Sequence, residues 1–248
     1  MTELANQTLA QIVTDNHRTA AVFEKYHLDF CCKGKRSLQQ ACDEQNIAVD
    51  KLLNELNTVS PGSSGSCQVA FPFDKLSLSQ LTSYITSTHH SYVKNELPQL
   101  LGYSQKLASK HGKQHQELLK IFELLVAIKE EMDLHMQKEE RVLFPRINEI
   151  EKLSQQPEAN YKLNISYLQA PVTLMEQEHD HAGALTEEIR NLSNNYETPA
   201  DGCTTYKLMY ASLKAFEMDL HQHVHLENNI LFPKAIALAK NISETTLN

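Results

Sequence analysis

The chain has 248 residues, 41% of them hydrophobic and 7% aromatic, with no Trp, only 7 Gly and a formal net charge of −8. Few glycines and no Trp disfavour a turn-rich sandwich or barrel and predict an all-α protein. The acidic balance argues against nucleic acid or an anionic membrane as partner, because the chain as a whole cannot neutralise phosphates, and no apolar run is long enough to span a bilayer.

The opening, MTELANQTLAQIVTDNHRTA, lacks the basic segment and apolar run of a secretory signal. Residues 1–56 read as a small helical domain, too short to bury a generous core alone and therefore expected to dock elsewhere or to form a homodimer. Within YHLDFCCKGKRSLQQAC, Ser37 and Gln40 form a capping-box pattern that places Cys31 and Cys32 in a turn before a helix. Lys33, Lys35 and Arg36 are expected to lower the thiol pKa there, suiting redox exchange or a soft metal; the plainer alternative is two small buried side chains. Cys42, Cys67 and Cys203 stand alone. Five cysteines without zinc-site spacing suit a reducing compartment, so a cytoplasmic location is expected.

Pro, Gly and Ser crowd residues 57–75, which read as a linker. From 76 to 240 the apolar spacing predicts helices over 77–109, 112–150, 171–196 and 203–240, a four-helix bundle followed by a tail at 241–248. Leu118, Phe122, Leu125 and Ile128 mark one stripe, and Leu208, Leu213, Phe216 and Leu220 another. Residues 148–171 read as a long connection.

Two phrases nearly repeat: HMQKEERVLFP at 135–145 and HVHLENNILFP at 223–233. His135 and His223 are 88 residues apart and His90 and His179 are 89 apart, so the bundle reads as a duplicated helical hairpin. Residues four apart on an α-helix differ by about 40°, so His135 with Glu139, and His223 with Glu227, each present an imidazole and a carboxylate to one interior point. A histidine from each partner helix completes four imidazoles and two carboxylates, the outline of a dinuclear metal site. Imidazole with carboxylate suits Fe, Mn or Zn, and iron is favoured.

A single His-x-x-x-Glu is usually a solvated helix pair; its duplication in register reverses that balance. The ferritin-like alternative needs a duplicated Glu-x-x-His. EQEH at Glu176–His179 has no counterpart before His90, where Ser87 stands. The apolar stripe through Ile85 favours His89 as the first-helix ligand, whereas repeat register favours His90. His221 and His225 lie on a face turned away from His223 and read as solvent-facing or as backing the ligands. Glu131 and Glu178 read as acceptors for ligand imidazoles or as a proton path, against the alternative of ordinary solvated carboxylates.

Together FCCKGK, HSYVKNELPQL, HMQKEERVLFP, MEQEHDHAGAL and HVHLENNILFP resemble the Repair of Iron Centres family, hemerythrin-like di-iron proteins that restore iron-sulfur clusters damaged by nitrosative or oxidative stress. The resemblance spans nearly the whole chain, although Lys33 replaces a common Gly and the 148–171 connection is long. It implies His90, His135, His179 and His223 as terminal ligands, choosing His90 over His89, with Glu139 and Glu227 bridging two iron ions per chain beside an oxo or hydroxo group. It also implies damaged iron-sulfur proteins as partners and NO or O2 as small ligands, with Cys31 and Cys32 assisting transfer. Two other functions use the same centre: an NO or peroxide reductase, and an O2 or redox sensor.

Overall fold

The computed structural model describes residues 2–59, 72–155 and 165–245; Cys67 and most of the expected linker lie outside them. Five short helices make the N-terminal part: α1 (Thr2–Asn6), α2 (Leu9–Asp15), α3 (Ala20–Lys25), α4 (Leu38–Glu44) and α5 (Val49–Thr58). Ser37 caps α4 as its spacing predicts, with Ser37 Oγ accepting from Gln40 N–H at 3.1 Å and Gln40 Oε1 accepting from Ser37 N–H at 3.0 Å.

Four long helical runs follow. The first is α6 (Leu78–Ile85), a π-turn at Thr86–His90, and α7 (Ser91–His111). The second is α8 (Glu117–Lys138), a π-turn at Glu139–Leu143, and α9 (Phe144–Ser154). The third is the unbroken α10 (Ser166–Leu192), and the fourth is α11 (Thr204–Leu226), a π-turn at Glu227–Leu231, and α12 (Phe232–Thr245). α7 packs against α8 and α11, and α8 against α10, closing the bundle. Among the described residues no helix is long and apolar enough to cross a membrane.

The π-turns explain the repeated Leu-Phe-Pro. A π-turn closes i→i+5 bonds and so holds one residue more than an α-turn. Phe144 N–H donates to Glu139 O, and Phe232 N–H to Glu227 O, at that spacing. The next residue, Pro145 or Pro233, has no N–H and would clash with the carbonyl four residues back in a tight α-turn. The wider turn relieves that conflict, and in each case it begins at the duplicated Glu.

Much of the expected connection is helical, because α9 continues to Ser154 and α10 starts at Ser166, five residues before Pro171. Pro171 leaves the Tyr167 carbonyl, four residues back, without a helical donor. Arg146 Nη1 supplies it at 2.9 Å, with its guanidinium 4.1 Å from the Tyr167 ring centre. The expected tail is also partly helix, since α12 reaches Thr245. Leu213, Phe216 and Leu220 are buried as their stripe predicts, but Leu208 is exposed; Tyr206, Met209 and Tyr210 carry that seam.

The small domain docks on the bundle of its own chain, so it gains there the burial that its size denies it. Phe30 meets the edges of His221 and His225, at centroid distances of 6.2 and 5.7 Å. Glu24 takes His221 Nδ1 at 2.6 Å, and Asn229 Nδ2 donates to the Cys31 carbonyl at 2.9 Å. His221 and His225 therefore do not face solvent: His221 is partly buried and His225 is buried beneath the docked domain. Burial holds the His225 imidazole down at about 4, against a weaker upward pull from Phe30, so it docks neutral.

Candidate metal centre

The bundle interior is two apolar compartments with a polar layer between them. One holds Val93, Leu97, Met132, Met136, Ala182, Leu220 and Val224, together with the N-terminal core. The other holds Ile85, Leu143, Phe144, Met175, Ile230 and Phe232. Each helix thus passes from one compartment to the other at the level of His90, Glu139, His179, and His223 with Glu227.

These side chains converge. The donor atoms of His90, Glu139, His223 and Glu227 lie within 4.8 Å of one another, as do those of His135, Glu139, His179 and Glu227. The two carboxylates belong to both groups. His90 Nε2 and His135 Nε2 are each 3.3 Å from Glu139 Oε2. Glu227 spreads its oxygens, Oε1 lying 3.0 Å from His223 Nε2 and Oε2 lying 3.1 Å from His179 Nε2. All six residues are buried, and both glutamates are 0% exposed.

Outward partners fix the imidazoles. His90 Nδ1 donates to Glu140 at 2.8 Å, His135 Nδ1 to Glu178 at 2.9 Å, and His179 Nδ1 to Asn228 Oδ1 at 2.8 Å. A ring that donates through Nδ1 turns the Nε2 lone pair inward, where a cation can use it. Lys94 in turn holds Glu140 at 2.6 Å, and Lys138 holds Glu178.

Two carboxylates buried side by side are costly unless countercharge compensates them. Burial and Glu227 push Glu139 upward, but His135 and His90 prevail and hold it below its ordinary value. Burial likewise opposes Glu227, which His223 and His179 carry well down. Burial works to lower His135, yet Glu139, Glu178 and Glu227 raise it to about 10. Both Glu139 oxygens, Glu227 Oε2 and His90 Nε2 lack a hydrogen-bond partner. Unsatisfied imidazole and carboxylate donor atoms converging in one buried layer fit bound metal; a cation entering there would displace the protons that balance this charge.

The other predicted residues fall in different places. His89 is buried but turns aside, its Nδ1 donating to Asp219 at 2.9 Å and its ring stacked 5.4 Å from His223. Glu178 meets a ligand imidazole, though across the groove on His135 and not beside it on His179. Glu131 does not: it takes the exposed His181 at 2.8 Å, because its side chain runs over the outer edge of the α8–α10 seam. Glu176 of the rejected ferritin pattern lies at the surface, 3.9 Å from Lys35. The Cys31 thiol is raised well above its usual range, by its contact with Cys32, by burial and by Asp29, and is not lowered. Of the three basic residues expected to stabilise a thiolate, Arg36 pairs with Glu44 and Lys35 lies near Glu176, while Lys33 lines the cavity that Cys31 and Cys32 face.

Glu140 and Asn228 were missed by sequence reasoning. Each directly follows a duplicated glutamate, so the same repeat register could have found them. Glu140→Ala is expected to weaken metal binding roughly ten- to a hundredfold, with helicity unchanged, in a chelator competition; parental affinity would show that the His90 orientation does not depend on Glu140.

Comparisons with known proteins place this architecture. The hemerythrin HHE cation binding domain matches residues 81–235, and a domain of unknown function (DUF542) matches residues 5–60. The iron-sulfur cluster repair protein YtfE of an Enterobacter species is 32% identical over 236 residues, 94% of this chain and 97% of the relative. The iron-sulfur cluster repair protein ScdA of Staphylococcus epidermidis is 34% identical over 227 residues, covering 91% and 96%. The class is a hemerythrin-type cation-binding bundle. Within it, this chain belongs to the iron-sulfur cluster repair family typified by YtfE and ScdA.

Proposed function

We propose that this protein repairs iron-sulfur clusters damaged by nitric oxide or oxidative stress, through a di-iron centre held by His90, His135, His179 and His223 and bridged by Glu139 and Glu227. The observation that carries this reading is the sharing of both glutamates between two buried ligand groups. When bound, the iron pair supplies redox-active Lewis acids, and iron itself is the cargo if the protein donates metal to a damaged cluster.

The chain's own residues do the rest. Glu140, Glu178 and Asn228 aim three imidazoles inward, and the apolar compartments exclude water from above and below the layer. A groove of about 340 Å³ between α8 and α10 reaches His135 and His179, with Leu134, Leu174 and Lys138 on its walls. In this reading a diatomic ligand or a departing ion uses that groove to approach the layer from the His135 and His179 side.

The test uses an aconitase-type dehydratase whose cluster has been nitrosylated. Iron-loaded protein with thiol is expected to restore its activity in proportion to the iron supplied, while metal-stripped protein and His135→Ala do not. Equal recovery with metal-stripped protein would remove the di-iron centre from the reaction. Continued consumption of NO or peroxide with a reductant and no client would favour the reductase reading instead.

A further inference from the structure

A second cluster lies outside the histidine layer, on the loop between α3 and α4. Asp29, Cys31 and Cys32 bring their donor atoms within 4.8 Å of one another. Cys31 Sγ is 3.8 Å from Cys32 Sγ and 3.3 Å from Asp29 Oδ1. Two sulfurs bound at about 2.3 Å to one tetrahedral ion stand about 3.8 Å apart, and a sulfur and a carboxylate oxygen about 3.6 Å apart. The loop therefore holds its donor atoms close to the spacing of a dithiolate–carboxylate site.

The loop is built to keep that spacing. The N–H groups of Cys31, Cys32 and Lys33 all converge on Asp29 Oδ1, at 3.0, 2.9 and 3.3 Å, which holds that carboxylate oxygen beside the Cys31 sulfur. Gly34 permits the tight path, because a Cβ there would come within 2.2 Å of the Phe30 carbonyl oxygen. Asn229, on the π-turn of the fourth helical run, ties down the Cys31 carbonyl. All three candidate ligands line a cavity of about 490 Å³ whose far wall on α10 carries Asp180 and Glu187. Lys33, Arg36 and Arg190 line the same cavity, so its walls carry both signs of charge and it gives a cation a path from solvent.

We propose that Asp29, Cys31 and Cys32 form a separate site for one thiophilic divalent cation, such as ferrous iron or zinc, open to the cavity between the N-terminal loop and α10. Thiolate pairs select such ions over magnesium or calcium. The two thiols release their protons to solvent as the metal binds, and solvent or an incoming donor fills the fourth position. The site does not depend on the repair reading, since it uses none of the histidine-layer residues.

The test titrates cobalt(II) into the full-length, iron-loaded protein under anaerobic conditions. The expected result is one further cation per chain, with a thiolate-to-cobalt charge-transfer band and proton release, all lost in Cys31→Ser/Cys32→Ser while the iron content stays unchanged. Asp29→Asn is expected to weaken binding roughly ten- to a hundredfold. Because changes at Cys31 can disturb packing, alkylation of the parent's Cys32 is followed as well, and bound zinc is expected to slow it at least tenfold. A charge-transfer band that survives the double substitution would assign the binding to another cysteine. No further cation, or binding without a thiolate band or protection, would overturn the proposal.

Discussion

Glu139→Ala is expected to empty both metal positions together, whereas His90→Ala or His135→Ala empties one and weakens the other. The asymmetry follows from membership: each histidine serves one donor group, while Glu139 and Glu227 serve both. Removing Glu139 also takes one of the two buried carboxylates out of the layer, so a cation finds less negative charge there to offset its desolvation. The thermal consequence is large. Iron at a thousand times its dissociation constant stabilises the folded state by about 4 kcal/mol. For a chain of this size that corresponds to roughly 8–16 °C in Tm. Elemental analysis with melting curves, with and without iron, checks both parts. A Glu139→Ala protein that keeps one ion per chain, or keeps its iron-dependent rise in Tm, would show that the carboxylate is not shared.

Phe30→Ala should release the N-terminal domain from the bundle. Phe30 is 2% exposed and packs against Phe23 within its own domain and against His221 and His225 across the junction. Truncating a buried Phe costs about 3–5 kcal/mol, and a small domain has little reserve against such a loss. Calorimetry is expected to show one transition splitting into two, with the earlier one belonging to α1–α5. Hydrogen exchange should rise across α2–α5 while α8 and α11 remain protected and the iron content holds. A single transition within 1 °C of the parent would mean that the polar contacts of Glu24 and Asn229 alone secure the domain.

Much of this architecture was legible in the residues because duplication made it so. His135 and Glu139 stand four apart, their counterparts repeat 88 residues later, and apolar spacing located four helical runs. Hydrogen-bond register carries no periodic apolar signal, so the π-turns were not visible, although Pro145 and Pro233 are their chemical trace. Consecutive residues on an ordinary helix point about 100° apart, which hid the role of Glu140 and Asn228 beside the glutamates. His221 and His225 were misread because a helix face turned away from one core is solvent-facing only until another domain covers it. Pro171 was taken as a boundary because the donor that replaces its missing bond, Arg146, lies on a different helix.

On the fourth helical run, Glu227, Asn228 and Asn229 occupy consecutive places in one π-turn, and each reaches a different destination: the metal layer, His179 and the Cys31 loop. Because that turn contains one residue beyond an α-helical complement, shortening it by that residue would restore ordinary winding while Phe232, Ala235 and Ala239 kept their phase against the apolar compartment. The scaffold can therefore be viewed as a plain bundle with a chemical insert at mid-height, and removing that insert would require replacing Pro233, whose ring would otherwise meet the carbonyl four residues back.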